Sequence, residues 1–247
     1  MADTEEPVSE GRRNFLRLVA VAAVGVTAVG LLKGGISDLI APTLGLTSFP
    51  TLTIYDTTGK PLLYENLPVN SAEVYEFFYP LSNEPSFLLK LGDKTGKPLN
   101  ITTGPTPKSR ATGVTYTYPA GVGPSGEQCV FAFSGICQHA GCIPPSIKFY
   151  PPGFTIPGYS SSYVGQSGLI HCSCHGSTYD PAEGATIVTG PTQNPLPGIY
   201  LEYNATTHQI TAMKQMYGPY IYGHTSDLTG GAPLGTSYTP ITIIKTG

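Results

Sequence analysis

Three observations predict an all-β protein carried on one N-terminal membrane helix. Glycine (30), proline (24) and tyrosine (16) are abundant and tryptophan is absent, a mix that favours short strands and frequent turns. From residue 51 onward, short apolar or aromatic runs recur between stretches rich in Gly, Pro and Thr, the pattern of strands broken by turns. One apolar run of 15 residues, 18–32, stands apart near the N-terminus.

The chain has 247 residues, room for one large domain or two small ones. Charge is sparse, with 13 Lys+Arg against 16 Asp+Glu and a net charge of −3, so no basic surface points to nucleic acid. Internal repeats, glycine loops for nucleotides and haem-attachment motifs are not evident.

Taken in order, residues 1–17 are polar and then basic, with the pair Arg12-Arg13 ahead of Phe15-Leu16-Arg17. A twin arginine before an apolar run looks like a twin-arginine export signal. The run is shorter than the roughly 20 residues a bilayer needs, but it extends to residue 40 if Lys33 snorkels to the interface. We therefore expect a retained anchor over residues 15–40. Arg12, Arg13 and Arg17 put its start in the cytoplasm and the rest of the chain outside. Residues 41–50 read as a linker.

Strands are expected at 51–55, 74–79, 87–91 and 114–118, with a hairpin-like turn at 56–59 and a loop at 95–108. A strand at 129–136 leads into Cys137, and one at 169–171 leads into Cys172. Further strands are expected at 185–189, 199–203, 208–213 and 240–245. Residues 143–168, rich in Pro, Gly, Ser and Tyr, read as an insertion on the cluster subdomain, with no strand assigned to them. Cys129 sits in an apolar run and reads as a core residue. His171, His208 and His224 read as packing or surface histidines.

The chemistry concentrates in two stretches, Cys137-Gln138-His139-Ala140-Gly141-Cys142 and Cys172-Ser173-Cys174-His175-Gly176-Ser177-Thr178-Tyr179, which hold four of the five cysteines and two of the five histidines. Each carries a Cys and a His at ligand spacing and one further Cys. Two thiolates and two imidazoles suit tetrahedral zinc, or a two-iron, two-sulfide cluster with imidazoles on one iron. Hydroxyls at Ser177 and Tyr179 are placed to bond to sulfur and ease reduction.

This pattern, with its His-Gly-Ser-x-Tyr-Asp tail, resembles the Rieske iron–sulfur family. The likeness is specific over about residues 129–198 and diffuse elsewhere. It implies a Rieske-type antiparallel β base domain (51–128 and 199–247), with a small β cluster-binding subdomain (129–198) inserted in it. It also implies a [2Fe-2S] cluster with Cys137 and Cys172 on the inner iron and His139 and His175 on the outer one. A Cys142–Cys174 disulfide would tie the two loops, which needs an oxidising compartment. Residues 190–197 resemble the family's proline-rich third loop. The departure from the family is the 32 residues between His139 and Cys172, a wider gap than usual.

The function this implies is that of an electron-transfer subunit of a membrane respiratory complex, of the cytochrome bc or archaeal quinol-oxidase type. It would be redox-active within the complex and not catalytic alone. Quinol bound in a cytochrome b-type partner would hydrogen-bond an exposed ligand imidazole, with His175 the first candidate and His139 the second. One proton would leave by the imidazole, and the electron would pass to a haem or copper acceptor. The alternative is the Rieske small subunit of an arsenite-oxidase-like molybdenum enzyme. A soluble Rieske ferredoxin and a zinc-stabilised extracellular module fit the anchor and the extra cysteines less well.

Overall fold

The computed structural model describes residues 50–218, 234 and 238–245. The expected anchor, the export-signal-like arginines, all of the linker but Pro50, and His224 lie outside the described residues. Among the described residues no helix is long and apolar enough to cross a membrane.

Among the described residues, twelve strands form two sheets. The larger comprises β1 (Leu52–Tyr55), β2 (Glu73–Phe78), β3 (Pro85–Lys90), β4 (Val130–Ser134), β9 (Gly198–Tyr203), β10 (Ile210–Tyr217), β11 (Tyr238–Pro240) and β12 (Thr242–Lys245). Its order is β11-β1-β10-β9-β4-β3-β2-β12. The two end strands are adjacent in sequence, joined only by Ile241. That residue is buried in the same cluster as Leu52, Ile54, Phe77, Leu88, Val130 and Ile210. The sheet is thus a nearly closed barrel, and closure shields edges that would otherwise seek partners. The smaller sheet is β5-β6-β7-β8, from Ile147–Tyr150, Leu169–Cys172, Ser177–Asp180 and Thr186–Thr189.

Side chains of a strand alternate between faces. In β3 and β4 both faces are buried, because each sheet needs a cover. Leu88, Val130 and Ala132 point into the barrel. Phe87, Leu89, Phe131 and Phe133 point outward and pack with Ile147, Phe149, Ile170 and Tyr179 of the small sheet. The first ligand stretch therefore leaves from a strand fixed on both sides. β4, which the sequence assigns to the cluster subdomain, belongs to the larger sheet.

Three expectations are corrected. Residues 114–118 form no strand. Tyr116 and Tyr118 donate to the Pro107 and Pro105 carbonyls at 2.9 Å, but those prolines have no N–H to return the bond, so no ladder develops. Residues 143–168 are not free of strands. Pro144-Pro145 and Pro151-Pro152 bracket β5, an edge strand where flanking proline is tolerated. Finally, Asp-x-Thr-Gly-Lys-Pro-Leu does occur twice, at 56–62 and 93–99. Both copies fold alike: Asp Oδ1 accepts from Thr58 N, Thr58 Oγ1 and Lys60 N in one, and from Thr95 N, Thr95 Oγ1 and Lys97 N in the other.

Glu76 interrupts the apolar outer face of β2, opposite Phe87 and Thr242. It is buried and its Oε2 meets no hydrogen-bond partner. Burial raises its pKa from the ordinary 4.5 to about 7. An acid whose folded pKa is raised costs nothing below pH 4.5, costs progressively more as the pH climbs, and costs most above pH 7. Thermal unfolding at pH 5 and pH 8 should show Glu76→Gln stabilising the protein more at the higher pH, by about 2–3 kcal/mol. An equal effect at both pH values would contradict a buried ionising carboxyl.

Candidate metal centre

The first ligand stretch is a closed turn. Gly135 N donates to Pro85 O at 2.7 Å, fixing the exit from β4; Cys137 N donates to Cys142 O, and Gly141 N to Cys137 O, both at 2.9 Å. Gly141 takes φ +78°, a left-handed conformation open to glycine. The second stretch is a hairpin tip. Cys172 closes β6 and faces Ser177, the first residue of β7. Gly176 N donates to Cys172 O at 2.9 Å, and Gly176 has φ +81°. The sheet therefore fixes Cys172, while Cys174 and His175 ride on the exposed tip.

The two stretches meet. Cys137 and Cys172 are both 1% exposed. The His139 and His175 rings lie 4.7 Å apart, edge to face at 81°. His175 is exposed, and His139 is half-buried with an Nδ1 that has no protein partner. Cys142 and Cys174 form a disulfide. Their sulfurs and that of Cys172 lie within 4.8 Å of one another, but two of the three are committed to each other, so that trio is not a ligand set.

The electrostatics ask for a cation. Cys137 is held down to about 5, first by the hydrogen bond from the Cys172 thiol and further by Tyr179. Cys172 is raised in return by the same bond. Two buried thiolates in this place would need a bound positive charge to offset them.

Hydroxyls complete the inner wall. Tyr179 is fully buried, and burial pushes its pKa well above the ordinary 10. Its oxygen accepts from Gln138 N at 3.2 Å, which leaves its proton for Cys137 Sγ at 3.4 Å. The Ser177 hydroxyl is buried without a partner at hydrogen-bonding geometry, and its effect on Cys137 is the smallest of those that lower that thiol. Buried soft donors, an orphaned imidazole nitrogen and an orphaned hydroxyl together fit an iron–sulfur cluster. Zinc would need only four ligands and would leave the hydroxyls idle.

Residues 190–197 form a third wall. Gly190 has φ +87°, and a Cβ there would come within 2.4 Å of Ser177 Cα and 2.5 Å of Gly176 O. Sequence reasoning missed the support behind β6 and β7. His171 is buried and pairs through Nδ1 with Thr178 Oγ1 at 2.8 Å. Burial holds it below the ordinary histidine range, offset in part by the Pro157 carbonyl. Tyr163 donates to Asp180 Oδ2 at 2.5 Å. No ligand spacing marks either contact. Cys129 is fully buried against Tyr64 Oη at 3.4 Å. His208 pairs with Glu65 on the surface, away from any cysteine.

Residues 100–200 match the family model of the Rieske [2Fe-2S] domain. Over those residues the match indicates a [2Fe-2S] cluster as the cofactor. A similar solved structure is the soluble domain of the Rieske protein II (soxF) from Sulfolobus acidocaldarius. It is 28% identical, with a TM-score of 0.45, and the match covers 80% of this chain and 99% of that chain.

The contact of the third wall with Ser177 sets a test. Gly190→Ala is strained in backbone and collides with backbone atoms, so iron and sulfide per protein should fall well below the wild-type ratio. Full loading would show that the wall does not press on the second loop.

Proposed function

We propose that this Rieske-domain protein is the electron-transfer subunit of a membrane quinol-oxidising complex, with Cys137 and Cys172 holding the inner iron and His139 and His175 the outer iron. One observation carries the reading: a buried sulfur pair lies beneath an exposed imidazole, His175. When bound, the cluster supplies a one-electron acceptor at roughly −150 to +300 mV.

The chain's own residues do the rest. The orphaned Nδ1 of His139 is the nitrogen placed for iron, which leaves Nε2 for the outside. His175, the more exposed of the two, presents its free ring nitrogen to accept a hydrogen bond from a quinol hydroxyl and to carry its proton to solvent. The Tyr179 and Ser177 hydroxyls favour added negative charge on sulfur. The disulfide keeps the two loops together, and the two sheets hold their stems.

The finer placement rests on the sequence. Arg12-Arg13 and the apolar run after them support a single-pass anchor with a cytoplasmic N-terminus and an extracytoplasmic cluster domain. A cytochrome b-type subunit is the partner expected to hold quinol, and a haem or copper centre the expected acceptor. Purification of the native assembly tests this. Cytochrome b and quinol-dependent reduction of the acceptor should accompany the protein; a molybdopterin subunit in their place would sink the quinol reading and favour an arsenite-oxidase-like enzyme.

Tyr179→Phe removes one hydroxyl and little else. The midpoint potential should drop by on the order of 40 mV, the equivalent of one hydrogen bond for a one-electron couple, and quinol oxidation should slow. An unchanged potential would mean that the hydroxyl does not act on the ligand sulfur.

A further inference from the structure

The loop at 190–197 covers the cluster site, yet three of its residues are prolines and it lies in no sheet. Its outward carbonyls need donors from elsewhere. Pro197 O takes Ser134 N of β4 and Pro191 O the loop's own Gln193 amide, but those of Gly190, Gln193 and Leu196 are met from residues 105–118, a segment far away in sequence with no ligand of its own.

The contacts run the length of the loop. Arg110 N donates to Gln193 O at 2.8 Å. The Arg110 guanidinium donates to Gly190 O at 3.3 Å and to Val188 O at 3.2 Å. Ser109 Oγ donates to Asn194 Oδ1 at 2.7 Å, and both residues are buried. Tyr118 Oη donates to Leu196 O at 2.8 Å.

The segment is also seated sterically. A Cβ on Gly198 would meet the Tyr118 ring at 2.9 Å, and one on Gly218 would meet Tyr118 Oη at 2.0 Å. A Cβ on Gly184 would meet Pro105 Cγ at 2.9 Å and Pro107 Cδ at 3.0 Å. On the inner side of the loop, Thr192 is fully buried and donates to Asn194 O at 3.1 Å, and it touches the Tyr179 hydroxyl that serves Cys137.

We propose that residues 105–118 are a clamp that presses the proline loop onto the Cys172–His175 hairpin. Ser109, Arg110 and Tyr118 are positioning residues for the cluster. They touch neither sulfur nor imidazole and act through the loop carbonyls and Thr192. The proposal rests on the Rieske reading for its cluster, but the seating of the loop is a property of the protein alone.

The test uses the full chain loaded with its cluster, in two variants. Arg110→Ala removes an exposed side chain, and Tyr118→Phe removes one hydroxyl. Hydrogen exchange is followed at the Thr192, Gln193 and Asn194 amides, with the β6 amides as control. The second readout is the loss of visible absorption to an iron chelator, and the third is the midpoint potential. In each variant, exchange at the three loop amides and chelator loss should both rise about fivefold, the factor carried by one hydrogen bond of ordinary net strength. The β6 amides should hold steady and the potential should shift. Arg110→Lys should recover only part of the effect, since it lacks the fork that spans two carbonyls. Unchanged loop exchange in both variants, or exchange that rises equally in β6, would overturn the clamp. If the wild type forms no iron–sulfide chromophore, the cluster reading fails, and loop exchange still decides the clamp.

Discussion

Two buried sulfurs held side by side are the constraint on which the structure depends. Cys137 and Cys172 lie 35 positions apart in the chain, yet both are buried in one apolar cluster. Two thiolates in that place are costly until a cation joins them. The fold therefore has to hold the two ligand loops together. The disulfide does this covalently at the tip, and the Cys172–Ser177 pairing does it at the stem. The centre is thus preorganised from both ends.

Preorganisation of this kind needs a stiff base, which the barrel supplies. Closure through Ile241 leaves β2, β3 and β4 with a filled interior. Their outer faces are then free to act as a floor for the small sheet, through Phe87, Phe131 and Phe133. Doubly buried strands tolerate little movement, because every displacement opens a void on one face or the other. Glu76 is the exception on that floor, a carboxyl buried with an unmatched oxygen. Its cost is carried by the apolar packing around it.

The ligand chemistry was legible in the sequence because ligand spacing is local. A Cys-x-His and a Cys-x-x-His, each with a further Cys, announce themselves within six or seven residues. Most barrel strands were legible too, from alternation between turn residues. Features whose cause lies elsewhere in the chain were not. β5 hides between proline pairs, and only its pairing with β6 makes Ile147 to Tyr150 a strand. Residues 114–118 alternate like a strand, but their neighbours are prolines that cannot complete a ladder. The repeated hairpin at 56–62 and 93–99 escaped because its turn residues are common ones. Arg110 and Ser109 looked like ordinary loop residues, since their partners lie about 80 positions away.

Burial divides the labour at the centre. The groups that adjust the sulfurs, Tyr179 and Ser177, are closed off from solvent, where a hydroxyl dipole acts on a neighbouring charge with little screening. His175, by contrast, stands exposed on the hairpin tip. An exposed hydroxyl would lose its effect to water, and a buried imidazole would lose its access. The wide gap between the ligand stretches follows the same logic. It is not loose chain, because β5 extends the small sheet and Tyr163 binds Asp180 at the far end of β7. Its contacts reach the strands that carry Cys172 and Tyr179 and also the second ligand loop, where Ser173 donates through its N and Oγ to Ser146 O. The added length thus stiffens the stems of the site.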